Sequence, residues 1–131
     1  MANKQEGKLR VAVIGTGNMG RNHVRNYFML PESELVAIAD VNPEAKSLAD
    51  DYKVKFFTDY KEMLEKARPD AVSVVVPTPF HLEVATEVMS RGIHCMLEKP
   101  IASSVEEADK LITCAKKNNV TFTVGHIERF N

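Results

Sequence analysis

Gly15-Thr16-Gly17-Asn18-Met19-Gly20 spaces three glycines as G-x-G-x-x-G. The spacing alone is common, and an ordinary glycine-rich turn is the plain alternative. Its context makes it specific. Arg10–Ile14 before it is a short apolar run rich in β-branched residues and reads as a buried strand. Gly20, Val24, Tyr27 and Phe28 recur behind it at helical spacing. A glycine turn between strand and helix suits a pyrophosphate. Gly15 permits the tight turn, Gly17 lets the phosphates approach the backbone, and Gly20 lets the helix sit close to the strand. The helix N-terminus then offers free N–H groups and a positive dipole. Thr16, Asn18 and Met19 complete the turn and are candidate contacts to the same ligand.

Asp40 stands twenty positions after Gly20, at the end of a second apolar run, Leu35–Ala39. A carboxylate there accepts hydrogen bonds from adenosine ribose hydroxyls and repels a 2′-phosphate. Val41 and Asn42 bring no cation to offset that repulsion, and the nearest lysine is Lys46. NAD is therefore expected over NADP. The alternative is Asp40 as a loop or capping residue.

Glu98-Lys99-Pro100 follows the fifth apolar run, and in open α/β sheets ligands lie beyond the carboxyl ends of strands. A lysine there can donate to a substrate hydroxyl and stabilise the alkoxide that develops as hydride leaves. By spacing alone, a surface lysine before a turn is the simpler reading. Pro77-Thr78-Pro79-Phe80-His81 lies at the same edge. Taken alone it reads as a proline-shaped turn, with His81 exposed in the first helical turn. His126 and Arg129 follow the sixth run, and position does not decide their role. His23 and His94 read as structural. The four histidines and two cysteines show no metal-ligand spacing, so no metal is expected.

The elements that must hold these groups are legible along the chain. Strands are expected at Arg10–Ile14, Leu35–Ala39, Lys55–Phe57, Ala71–Val76, His94–Leu97 and Val120–Val124. Helices lie between them. Asn42-Pro43 starts the second, Tyr60–Lys66 forms the third with Met63, Leu64 and Ala67 inward, and Phe80–Arg91 the fourth. Ser103-x-x-Glu106 and Ser104-x-x-Glu107 are both capping-box spacings before the fifth, whose stripe is Ala108, Leu111, Ile112 and Ala115. Alternating strands and helices predict an α/β, doubly wound parallel sheet of about six strands, order 3-2-1-4-5-6.

The chain has 131 residues, 44% hydrophobic and 27% charged, with formal net charge −1. That fits one domain with its own core and excludes disorder. Near-balanced charge makes the electrostatic case for nucleic acid or an anionic membrane weak, and no apolar run approaches a membrane span. The polar N-terminus carries no signal-peptide core, so a cytoplasmic setting with reduced Cys95 and Cys114 is expected.

Together these residues resemble the Gfo/Idh/MocA family of NAD(P)-dependent oxidoreductases. The matching elements are Gly15-x-Gly17-x-x-Gly20, Asp40, Pro77-Thr78-x-x-His81, Glu98-Lys99-Pro100 and the closing Gly125-His126-Ile127-Glu128-Arg129-Phe130-Asn131. The resemblance implies a Rossmann fold. It implies a lysine, Lys99, near the nicotinamide and reacting hydroxyl that assists hydride transfer. It places His81, with Pro77, Thr78 and Glu98, at the cofactor crevice and Arg129 near the nicotinamide end. The implied activity is hydride transfer between NAD and a sugar, sugar-nucleotide or polyol, in an enzyme that is a homo-oligomer at full length. The closing segment looks most like members acting on nucleotide sugars. Family enzymes carry a second α/β domain with most of the substrate pocket. The expected plan is therefore a flexible arm over 1–8 and an NAD-binding domain over 9–131, with the family's C-terminal substrate domain absent. Such a chain is expected to bind NAD with little turnover, and to expose apolar groups near Phe80, Ile101, Ile127 and Phe130. The competing reading is a non-catalytic NAD-binding regulatory or interaction module. Loss of turnover in Lys99→Ala at full length separates the two.

Overall fold

The computed structural model describes residues 7–125. The strands are β1 (Leu9–Ile14), β2 (Ser33–Ala39), β3 (Lys55–Phe57), β4 (Ala71–Val74), β5 (His94–Leu97) and β6 (Phe122–Val124). The helices are α1 (Asn18–Met29), α2 (Lys46–Tyr52), α3 (Tyr60–Ala67), α4 (His81–Ser90) and α5 (Val105–Lys117), with 3-10 turns at Pro43–Ala45 and Thr78–Phe80. All pairings are parallel, and the sheet order is β3-β2-β1-β4-β5-β6. This is the doubly wound sheet that the alternating pattern predicts.

Period-two alternation divides the sheet between two cores. Val11 and Val13 of β1 pack with Val24 of α1 and with Leu48 and Ala49 of α2 on one face. Ala12 and Ile14 pack with residues of α3, α4 and α5 on the other. Strands covered on both sides cannot alternate apolar with polar, which is why these runs are continuously apolar.

Local signals set the helix boundaries. Asn42 caps the turn before α2 through the N–H of Glu44, and Asp59 caps α3 through Lys61. Of the two capping-box spacings before α5, the later is used: Ser104 Oγ accepts from Glu107 N at 3.2 Å, while Glu107 Oε1 accepts from Ser103 N. Met63, Leu64 and Ala67 face inward as expected. Several placements differ from the periodicity. Phe28 is 54% exposed and stacks edge-on with Tyr52 at the rim, because α1 turns Gly20, His23 and Val24 to the sheet. Ile112 is exposed, and α5 buries Leu111 and Ala115 instead. The fourth strand ends at Val74, although Val75 N still donates to Ile14 O. Phe80 is exposed as anticipated, whereas Ile101 packs against the core. Ile127 and Phe130 lie outside the described residues, as do His126, Arg129 and most of the expected N-terminal arm.

Candidate cofactor site

The carboxyl ends of the central strands open at one edge. There the parallel ladder runs one residue past the strands: Gly15 N donates to Ala39 O, Asp40 N to Phe57 O and Val75 N to Ile14 O. This brings three loops around one cavity of about 690 Å3, lined among others by Gly15, Thr16, Gly17, Met19, Asp40 and Pro77.

The three glycines are required for separate reasons. Gly15 has φ +95°, and a Cβ on it would stand 2.2 Å from Val75 O. A Cβ on Gly20 would stand 2.0 Å from Gly15 O, so α1 sits directly on the turn. At Gly17, the N-cap of α1, a Cβ would meet nothing within 4 Å. That opening leaves room for a group to approach the backbone. No side chain caps α1 and its first turn holds no acidic residue, so its N–H groups and dipole are left for an anion.

Asp40 is held in place by its neighbours. Its Oδ2 accepts from Thr16 N at 2.9 Å and Thr16 Oγ1 at 2.5 Å, and its Oδ1 accepts from Asn42 N at 2.9 Å. Partial burial works to raise its pKa, but the hydrogen bonds from Thr16 and Asn42, with the charge of Arg21, outweigh it and leave the carboxyl below its ordinary 3.8. Asp40 is therefore a fixed anion at the cavity wall.

Ile14, Val41, Val75, Val76, Phe80 and Val84 give the same cavity apolar lining. Tyr60 also lines the cavity, and its Oη is buried without a hydrogen-bond partner. Burial, then the charges of Glu83, Glu87 and Asp59, raise its pKa, so the phenol stays protonated. A dinucleotide fits this set: an uncapped helix end and open glycine for the pyrophosphate, a carboxylate for the ribose, and an apolar slot with one spare polar atom for a flat heterocycle.

A model of an oxidoreductase family with an NAD-binding Rossmann fold matches residues 9–126. The chain belongs to the Gfo/Idh/MocA family. It is 38% identical over 122 residues to UDP-N-acetylglucosamine 3-dehydrogenase from Acidithiobacillus ferrooxidans, covering 92% of this chain and 38% of that protein. The crystal structure of that enzyme superposes with a TM-score of 0.85 over 93% of this chain and 39% of the other. D-glucoside 3-dehydrogenase from Escherichia coli is 37% identical over 125 residues, 93% of this chain and 36% of its own length. The scyllo-inositol dehydrogenase of Lactobacillus casei, crystallised with NAD(H) and scyllo-inositol, is 26% identical with a TM-score of 0.86, covering 95% of this chain and 38% of that one. The chain thus spans well under half the length of these relatives. Its cofactor class is NAD, as the glycine turn and Asp40 predict.

The Gfo/Idh/MocA motifs divide into those at the cavity and those behind it. Asn18, Gly20, Thr78, His81 and Glu98 are not among the cavity-lining residues. Asn18 opens α1, and Thr78 opens the 3-10 turn that leads into α4. His81 is 1% exposed, so the reading of an exposed first-turn histidine is wrong. Its Nδ1 lies 3.2 Å from Ile101 O and its Nε2 2.9 Å from Val76 O. Glu98 is 6% exposed, with Oε2 at 2.6 Å from His23 Nε2. Lys99 is exposed beside Pro100, Ile101 and Val124, in a separate open depression, and the Lys99–Pro100 peptide bond that follows it is cis. Arg129 lies outside the described residues. Sequence reasoning missed Thr58, Tyr60, Glu83 and Val84 as cavity residues. The available signal was position, since Thr58 and Tyr60 follow the carboxyl end of β3.

Proposed function

We propose that this chain is the cofactor-holding part of an NAD-dependent dehydrogenase. The reaction oxidises a hydroxyl, or reduces the matching carbonyl, of a sugar, sugar nucleotide or polyol. The observation that carries this reading is the pre-set Asp40 carboxylate beside the uncapped, glycine-flanked start of α1. Bound NAD supplies the hydride acceptor. Gly15–Gly20 and α1 take the pyrophosphate, and Asp40 takes the ribose hydroxyls and disfavours a 2′-phosphate. Lys99 donates a hydrogen bond to the reacting oxygen and stabilises its developing charge. Pro77 and Thr78 shape the crevice edge.

The sugar class is supported by the names of the relatives, the nucleotide-sugar enzyme at 38% identity foremost. A substrate pocket and an oligomer interface belong to a further domain of the kind that the longer relatives have room for. Free Cys95 and Cys114 suit a reducing, cytoplasmic setting. The binding domain is assigned to residues 9–131. Hydride transfer needs cofactor, substrate and proton acceptor held together, so this chain alone binds NAD(H) with little turnover.

Calorimetric titration with NADH, and with NADPH as the paired control, tests the proposal. NADH binding well above NADPH is expected. A folded chain that binds neither refutes it.

A further inference from the structure

Behind the cofactor cavity lies a buried polar chain to which the proposed chemistry gives no part. His23 Nδ1 lies 3.0 Å from Ser73 Oγ, and its Nε2 lies 2.6 Å from Glu98 Oε2. Ser73 Oγ is 2.5 Å from Tyr27 Oη, which reaches Met96 Sδ at 3.9 Å. The order serine, histidine, carboxylate suggests a nucleophile. Ser73 and His23 are both 0% exposed, however, so no substrate reaches them.

Apolar residues of similar volume would serve stability at least as well as such a network. What the network does is geometric. His23 and Tyr27 come from α1, Ser73 from β4, and Glu98 directly follows β5. Period-two alternation puts Ser73, Met96 and Glu98 on the sheet face that α1 covers. The helix that starts at the dinucleotide turn is thereby bonded to the residue immediately before Lys99.

The other side of Lys99 is held in a similar way. His81, at the start of α4, has its Nδ1 3.2 Å from the Ile101 carbonyl and its Nε2 2.9 Å from the Val76 carbonyl, and a neutral ring donates its single N–H to one of the two at a time. Residues 98 and 101 each lie against a buried imidazole, and the exposed pair Lys99-Pro100 spans the gap.

We infer that His23 and His81 are positioning residues that bracket Lys99, fixing its amine relative to the cofactor turn through Glu98 and Ile101. The inference rests on the proposed reading that Lys99 works beside bound NAD.

Reductive methylation of the lysines, read residue by residue by mass spectrometry with and without saturating NADH, tests it. In the wild-type chain NADH protects Lys99 several-fold, while Lys110, exposed on α5 and not among the cavity-lining residues, is unaffected. In His23→Ala and in His81→Ala, each shown to be folded and saturated with NADH, protection of Lys99 falls toward that of Lys110. His23→Gln, whose amide can donate to Glu98, recovers part of it. A merely structural histidine would lower stability and leave protection at saturation unchanged, and that result overturns the inference. Backbone order in the wild-type chain gives a check that needs no variant. Lys99 should show strand-like order parameters of about 0.85, and values below about 0.6 overturn the bracket. NADH binding without protection of Lys99 removes the premise and the inference with it. Absence of NADH binding refutes the cofactor reading itself.

Discussion

Replacing Gly20 and Gly17 separately with alanine should split one motif into a folding half and a binding half. An alanine Cβ at Gly20 would lie 2.0 Å from Gly15 O and 2.8 Å from Gly15 C, where ordinary contact begins at 3.4 Å. Both atoms are backbone and cannot rotate away. Helix α1 must therefore lift off the turn and pull His23 and Val24 with it. Overpacking of this kind costs about 1–3 kcal/mol, and rigid backbone on both sides puts Gly20→Ala at the upper end. Alanine returns about 1 kcal/mol through helix propensity. The net loss is about 2 kcal/mol, or about 8 °C in Tm for a domain of this size. Gly17→Ala meets nothing within 4 Å and has φ −67°, so stability should stay within about 0.5 kcal/mol of wild type. Its methyl group enters the phosphate space, and NADH affinity should fall about tenfold or more, about 1.4 kcal/mol. Thermal unfolding and calorimetric titration of both variants decide the matter. A Gly20→Ala chain with wild-type Tm refutes the packing argument. A Gly17→Ala chain with wild-type NADH affinity refutes the phosphate approach.

Asp40→Ala should weaken NADH roughly tenfold while changing NADPH little, since hydrogen bonds to a charged group are worth about 1.5–3 kcal/mol; an unchanged NADH-to-NADPH ratio in paired titrations would remove Asp40 as the selectivity residue. Because the folded pKa of Asp40 lies below 3.8, its ionised form stabilises the fold above that pH, and the contribution is lost as pH falls through the folded value. The stability difference between wild type and Asp40→Asn, followed by urea unfolding, should accordingly shrink in acid below 3.8. Burial pushes the Cys95 thiol up to about 12, so native alkylation near neutral pH should leave it unmodified, and intact mass should show its labelling only in denaturant. Ser104→Ala removes the cap on Glu107 N and should cost about 1 kcal/mol in denaturant unfolding, without effect on NADH binding.

Much of this domain could be read from spacing. The glycine turn, the second and third strand ends, Asn42 before Pro43 and Ser104 before Glu107 are decided within a few residues of backbone, where steric allowance and capping act. Asp40 belongs with them because a βαβ unit has a nearly constant length, so twenty positions past Gly20 lands at the ligand edge. The inner side of each helix was only partly legible. Phe28 and Ile112 satisfy the helical period, but the angle at which α1 and α5 meet the sheet turns them outward.

The buried contacts behind the turn were legible only in part: His23 reads as structural and is buried, but its partner does not follow from the sequence. His23 meets Glu98 across 75 positions, and His81 meets Ile101 across 20. Each histidine stands in a helix whose period admits either a surface or a core residue. Which one it is depends on what the neighbouring strand presents after the crossover. The same holds for Thr16, whose hydroxyl finds Asp40 only because β1 and β2 run side by side. Local chemistry thus set the cofactor turn and its acid, whereas the support of Lys99 arises where separate strands end together. There a buried polar group must find a partner, and only the folded sheet determines which partners are near.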